Sequence, residues 1–215
     1  TGNPAGLYLA WSGVVDSLFL ESRDYHALDA WLDTLDALMD RFPDLPSGEV
    51  EAGVIRGAIC AMTFRRPQHP DRAAWEERAE RLAFDPERSA EERLTVGTKL
   101  LLFLIFWGDP RRADSIAEVL APLAEGKDVR PLARANWHVV YGALFSLLGH
   151  LDDIREEAEA ARREMSRHQI PLWEFHIGGH EVYADLASGR LEAAAEGLKR
   201  IARMLDPARL FDALH

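Results

Sequence analysis

The feature that most constrains the fold is a break in helical pattern that recurs about every 40 residues. Gly108, Gly149 and Gly189 occupy equivalent places and are 41 and 40 residues apart. Two earlier breaks, at residues 65–67 and 22–24, continue the spacing toward the N-terminus at intervals of roughly 41 and 43 residues. Each break follows a strongly apolar segment and precedes a more charged, Ala-rich one. The sequence therefore predicts a pair of helices, one buried and one amphipathic, that recurs about five times.

Nearly every segment between the breaks has apolar residues three and four apart, which is the spacing of an amphipathic helix. The predicted helices span residues 7–22, 26–42, 48–65, 71–83, 88–107, 110–124, 131–148, 151–168, 171–187 and 190–205. No alternating apolar and polar run with hairpin turn residues indicates a strand. The breaks themselves carry Gly and Pro, which are typical of helix ends and of the first turn of the next helix.

One helix pair of this kind cannot cover its own apolar face, whereas stacked pairs bury it and leave a concave surface lined by the first helices. We therefore predict an all-α fold, a right-handed α-solenoid of about five helix-turn-helix repeats that occupies residues 1–215 as a single domain. A helical bundle is the structural alternative, although a bundle does not require regular spacing. The chain begins at Thr1 and ends in an apolar stretch after Pro207 that is typical of another helix, so we expect it to be part of a longer protein.

Charge and composition exclude several classes of function. Asp and Glu number 36 and Lys and Arg 25, which gives a net charge of −11. Nucleic acids and anionic membranes attract cationic surfaces, so we expect this region to bind neither directly. The single Cys excludes a disulfide scaffold and a multi-cysteine zinc site. No signal region or 18-residue apolar run is present, which favours a cytoplasmic location.

Two short segments, 108–113 (GDPRRA) and 189–194 (GRLEAA), resemble the turn and second helix of a tetratricopeptide repeat. The period is longer than the usual repeat of about 34 residues and is closer to the long repeats of the maltose-regulon activator (MalT-like) family. Segments 103–110, 132–137 and 172–175 are similar to helical regions of large bacterial activators of the bacterial transcriptional activator domain type. The resemblance covers most of the chain and implies a sensor or partner-docking region of such a regulator.

A candidate ligand or partner groove comes from the spacing of polar and aromatic residues on two successive first helices. Side chains at i, i+4 and i+7 share a face, and first helices of neighbouring pairs line one groove in a solenoid. The residues predicted to line this groove are Arg134, His138, Tyr141, Trp173, His176, His180 and Tyr183. The alternative is that the aromatic residues in this region form the core between repeats.

A second candidate is an acidic face on the predicted helix 26–42. Asp29, Asp33, Asp36 and Asp40 fall at i, i+4, i+7 and i+11 and make one stripe. The stripe indicates either a docking face for a basic partner or a solvent-facing side opposite the apolar residues of the same helix.

The chemistry-bearing residues do not form a recognisable catalytic motif. His176 and His180 are four apart and suit a shared metal, with His138 or His168 as a third ligand, but the His-Glu-x-x-His order is absent. A packed or groove-lining role is favoured over a metal site. Cys60 lies in an apolar run and is predicted to be a buried, inert thiol. We therefore predict no catalytic residues, no metal and no cofactor.

These observations, with the resemblance, predict a non-enzymatic regulatory or protein-interaction module of a bacterial transcriptional regulator. It would bind a protein partner or a small-molecule effector in the groove of the helical repeats. Two other functions stay open, which are a generic scaffold that recognises a peptide of another protein and the sensory arm of a signalling enzyme such as a nucleotide cyclase.

Overall fold

The computed structural model describes residues 2–21, 24–170 and 172–204, and these are almost entirely helical. The helices are α1 (Pro4–Glu21), α2 (Leu28–Arg41), α3 (Gly48–Phe64), α4 (Arg72–Phe84), α5 (Ala90–Trp107), α6 (Pro110–Ala124), α7 (Pro131–Leu148), α8 (Leu151–His168), α9 (Glu174–Ala187) and α10 (Leu191–Met204). A 3-10 turn, Tyr25–Ala27, precedes α2. The all-helical prediction is confirmed, and the described residues contain no strand. The further helix expected after Pro207 lies outside the described residues.

Several helices begin where the sequence supplies a capping side chain. The Ser47 hydroxyl accepts a hydrogen bond from the Val50 amide at 3.3 Å at the start of α3. Ser89 and Glu92 form a capping box at the start of α5, in which each side chain accepts from the backbone of the other. Such caps satisfy amide groups that have no partner within the helix, so they fix the first turn. At the end of α7, Gly149 adopts a φ of 78°, which a glycine tolerates at no steric cost.

The described helices fall into two compact units, which divide between Val129 and Arg130. In the N-terminal unit, α3 lies between α1 and α5. Helix α2 contacts α1 and α3, α4 contacts α3 and α5, and α6 packs on α5. Twelve of the 17 residues of α3 are buried, which makes this helix the centre of an apolar core. Helix α3 is therefore buried on most of its sides.

The packing of α1 on α3 depends on a glycine. A Cβ atom on Gly57 would lie 2.7 Å from the ring of Trp11, well inside normal contact distance. The Trp11 ring is buried, and its Nε1 donates a hydrogen bond to the carbonyl of Trp31 at 2.7 Å. The ring is thus fixed from the α2 side and leaves room only for a hydrogen at position 57.

In the C-terminal unit, α8 packs against α7 and α9, α9 also contacts α7, and α10 packs on α9. Helix α7 is less buried than α3, since six of its 18 residues are buried. The largest of these is Trp137, which is 1% exposed. Gly197 of α10 allows a close approach to α9, because a Cβ there would lie 2.6 Å from Cγ2 of Val182. None of the described helices is long and apolar enough to cross a membrane.

Candidate functional site

The first half of the acidic stripe on α2 is engaged by the end of α3. Both carboxylate oxygens of Asp29 accept hydrogen bonds from Nε of Arg65 at 3.1 Å. Asp33 forms an ion pair with Arg66 at 2.7 Å. The Arg65 guanidinium holds the pKa of Asp29 below its ordinary value. These two acids therefore join α2 to α3, an arrangement that neither interpretation of the stripe anticipated.

The second half of the stripe faces a different element. Asp36 lies 3.6 Å from Nε2 of His69, whose other ring nitrogen accepts a hydrogen bond from the Asp71 amide at 3.2 Å. The side chain of His69, in the segment between α3 and α4, is buried, so its ring is held in place. This hydrogen bond assigns the neutral tautomer with its proton on Nε2, directed toward Asp36. Asp40, at the end of the stripe, is exposed.

Beside the His69 ring lies a half-open groove between α2 and α4, with a volume of about 270 Å³. Its lining combines three carboxylates with an aromatic ring, a thioether and one guanidinium. The lining residues are Asp36, Met39, Asp40, Asp71, Ala74, Trp75 and Arg78. We name this surface the α2–α4 groove.

The residues of the α2–α4 groove differ in how far they are fixed. Trp75 is 7% exposed, and Met39 accepts a hydrogen bond from the Tyr8 hydroxyl at 3.3 Å. Arg78 stacks over Trp75, with its guanidinium carbon 5.2 Å from the ring centroid. Within the described part of the chain, the side chains of Asp40 and Asp71 have neither an ion pair nor a hydrogen bond. The groove thus has a fixed floor and an uncompensated acidic rim.

The sequence-predicted groove residues of α7 contact α8. Arg134 donates a hydrogen bond to Glu164 at 3.0 Å, and Nδ1 of His138 donates to Glu157 at 2.7 Å. All four side chains are at most one-fifth exposed. They link α7 to α8, and these contacts leave little of either the Arg134 or the His138 side chain for a ligand.

The sequence-predicted residues of α9 have mixed positions. His180 donates from Nε2 to the carbonyl of Val139 on α7 at 3.1 Å. Its burial, with a smaller effect of neighbouring His176, lowers the pKa of His180 to about 4. The ring is therefore neutral at physiological pH and ties α9 to α7. His176 is exposed, and its ring meets that of Phe175 edge-on with centroids 5.4 Å apart.

The aromatic members of the predicted groove differ in their burial and in their ring contacts. Trp173 is buried at the start of α9 and adopts a φ of 63°. Tyr141 stacks along its own helix, with ring centroids 5.0 Å from Trp137 and 4.3 Å from Phe145. Tyr183 is 44% exposed. Of the seven predicted residues, the structure leaves His176 and Tyr183 exposed and gives Arg134, His138 and His180 contacts to a neighbouring helix.

A further polar cluster in the C-terminal unit escaped the sequence reasoning. Arg162 of α8 binds both Glu174 and Glu181 of α9, and Arg200 of α10 adds a contact to Glu181 at 3.0 Å. The two carboxylates, Glu181 first, raise the pKa of Arg162 above its ordinary value. The cluster crosses three helices, so only the folded arrangement brings its members together.

The N-terminal unit contains a buried lysine that was also missed. Lys99 of α5 is 4% exposed, and its Nζ lies 3.1 Å from the centroid of the Phe19 ring. Burial lowers the pKa of Lys99 to about 8. Burial also raises the pKa of Cys60 to about 11, so this thiol is protonated and unreactive at neutral pH. A single Lys inside the apolar run 94–107 was the available sequence signal.

The histidine pair proposed as a metal alternative does not gain a third ligand. In the described ranges, no three His, Cys, Asp or Glu side chains are grouped so that they would hold a metal ion. His180 donates from Nε2 to a carbonyl oxygen, which leaves Nδ1 as its only ring nitrogen that could bind a metal.

Comparisons of the chain with protein-family models, with curated proteins and with solved structures found no match.

Proposed function

We propose that this chain is a non-enzymatic interaction module built from stacked helix pairs of the tetratricopeptide type. The observation that carries the proposal is the packing order within each unit. In the N-terminal unit, α1, α3 and α5 lie side by side in chain order, and α2 and α4 each contact the odd-numbered helices on both sides. In the C-terminal unit, α7, α8 and α9 follow the same order. This order is expected of an α-solenoid, whose repeats expose long surfaces for partners.

The use of the titratable side chains supports a non-enzymatic role. Asp29 with Arg65, His138 with Glu157, and Arg134 with Glu164 are all pairs between helices. A catalytic group needs access to a substrate, whereas these groups are largely covered by their partners. Their chemistry is thus used to hold helices together, and the surfaces that remain are suited to docking.

The resemblance to MalT-like regulators supports the biological setting of the module. In that setting, the chain would be a cytoplasmic, regulatory part of a bacterial transcriptional regulator. A partner or effector would favour one arrangement of the helix pairs through differential contacts, and the shift in population would reach other parts of the regulator.

A thermal-shift screen tests the proposal on the chain as it stands. Sugars, nucleotides, divalent metals and candidate peptides are added separately, and each ligand is recovered afterwards and analysed chemically. A ligand that binds only the native state stabilises it by about 2.7 kcal/mol at a hundred times its dissociation constant. We expect saturable stabilisation with the ligand recovered unchanged. Conversion of a ligand into product would contradict the non-enzymatic role.

The Tyr183→Ala variant separates two modes of binding within the same screen. Tyr183 is exposed, so its truncation leaves the fold intact. If a small molecule raises the melting temperature of the wild type but not of this variant, the effector binds on the surface of α9 around Tyr183. A shift produced only by peptides and unaffected by the variant assigns the module to protein docking elsewhere.

A further inference from the structure

We propose that the α2–α4 groove binds a segment of a partner protein that carries Arg or Lys side chains. This inference rests on the proposed function as an interaction module and names the chemistry of the partner. The groove lies in the N-terminal unit, between Asp36, Met39 and Asp40 of α2 and Trp75 of α4. It is half-open and needs no movement of the buried core to admit a side chain.

Charge complementarity selects a cationic partner. Many acids of the N-terminal unit have an ion-pair partner within the chain, as in Asp16 with Arg56 and Glu76 with Arg112. At the groove, Asp36 lies 3.6 Å from Nε2 of His69, and no described residue pairs with the side chain of Asp40 or Asp71. Three carboxylates and one guanidinium leave a local charge of −2, which two basic side chains of a partner would neutralise.

The size and floor of the groove select a protein segment over a small molecule. A volume of about 270 Å³ is below the range of roughly 300–1,000 Å³ that is typical of ligand pockets. It is suited to one or two long side chains, whose methylene stems would lie on Met39 and Trp75 while their charged ends reach the acids. Arg78 already stacks on Trp75, which demonstrates that the ring accepts a guanidinium at its face.

The test is fluorescence polarisation of a labelled peptide with four arginines in a Gly-Ser background, titrated with the whole chain at low salt. The test variant is Asp40→Asn with Asp71→Asn, which removes two charges from the rim. The matched control is Glu77→Gln with Glu118→Gln, which removes two exposed charges outside the groove. We expect the rim variant to weaken binding at least about tenfold and the control less than about twofold. Circular dichroism and thermal melts of both variants verify that the fold is unchanged.

Three results would overturn the proposal. Equal weakening in both double variants would mean that the peptide responds to net charge alone. Absence of binding to the wild-type chain would remove the site. Competition by spermine as strong as that of unlabelled peptide would replace a protein segment with a small polycation. Each result leaves the interaction-module proposal to its own test, because the thermal-shift screen does not depend on this groove.

Discussion

Both units of the molecule join their helices with ion pairs, such as Asp16 with Arg56 in the first and His138 with Glu157 in the second. They differ in how deeply α3 and α7 are buried and in one buried lysine. In the N-terminal unit, 12 of the 17 residues of α3 are buried, and the buried Lys99 lies over the ring of Phe19. In the C-terminal unit, α7 is less buried, and pairs such as His138 with Glu157 lie between its helices. A polar residue on an apolar helix therefore has two roles: Lys99 is a buried charge over a ring, whereas Arg56 in the N-terminal unit and His138 in the C-terminal unit form cross-helix links.

This difference affects how a functional site is recognised. The polar residues of α7 and α9 were predicted to line a groove because they share faces of successive first helices, yet Arg134, His138 and His180 contact neighbouring helices. Asp36 and Asp40 of the α2–α4 groove also suited an ordinary exposed face, and among the described residues the side chains of Asp40 and Asp71 have no partner. Both surfaces contain polar residues, and they differ in whether those side chains have partners within the protein.

The largest effect on stability is expected from removing a large buried side chain of the C-terminal unit. Trp137 is 1% exposed, and its replacement by Ala should lower the free energy of unfolding by roughly 3–5 kcal/mol. Chemical denaturation measures this loss, and hydrogen exchange should locate it to residues 131–204. Phe175→Ala is the matched aromatic control, since Phe175 is 43% exposed. Equal losses in the two variants would mean that Trp137 is not a core residue.

The buried charge of the N-terminal unit should cost stability. The unfolded chain keeps the Lys99 proton up to its ordinary pKa of 10.5, whereas the folded chain releases it near 8. Between these values the unfolded state binds more protons, so raising the pH favours folding by roughly 3 kcal/mol in total. Lys99→Met should be more stable than the wild type at pH 7 and should lack this rise. Denaturation curves from pH 7 to 10.5 measure both, and a less stable variant would show that the contact with Phe19 outweighs desolvation.

The polar link of the C-terminal unit should make it sensitive to acid. His180 has a folded pKa of about 4 and an ordinary value of 6.5, so the unfolded state binds more protons between them. Stability is therefore lost as the pH falls from 6.5 to 4, by roughly 2 kcal/mol because the residue is partly exposed. His180→Gln keeps an N–H donor for Val139 and should abolish this loss. An unchanged acid dependence in the variant would assign the sensitivity to another group.

The smallest effects on stability are expected at two glycines, one from each unit. Gly57→Ala should destabilise by about 1–2 kcal/mol, because the new methyl meets the fixed Trp11 ring. At Gly142, the nearest atoms to a Cβ are 3.5 and 3.7 Å away, so Gly142→Ala should be neutral or gain about 0.5–1 kcal/mol from helix propensity. Thermal melts of both variants decide the matter. Similar changes in both would mean that the two units pack equally tightly.

Helix positions could be predicted from the sequence because their signals are local. The capping residues Ser89 and Glu92 are three apart, and the apolar repeat between them and Gly108 is continuous. The structure of the candidate sites is not local. Asp29 meets Arg65 36 residues later, and Arg134 meets Glu164 30 residues later. Face-sharing at i and i+4 identifies which acids lie together on one helix, but it cannot assign a partner on another helix.

The α2–α4 groove illustrates the same limit. Two of its acids, Asp36 and Asp40, were found from their spacing on one helix. Asp71 and Trp75 were not, because nothing in the sequence relates the start of α4 to the end of α2. Lys99 was visible as a charge within an apolar run, but the reason for tolerating it, the ring of Phe19 on α1, required the packed structure.

The most direct test of the α2–α4 groove as a docking site for basic segments is a chemical-shift map of the isotope-labelled chain during titration with the four-arginine peptide. We expect perturbations confined to the α2–α4 groove, including the Trp75 indole and the amides near Asp40 and Asp71, with the signals of His176 and Tyr183 unchanged. Perturbations centred on α7 and α9, or the same small shifts at acidic residues throughout the chain, would contradict it.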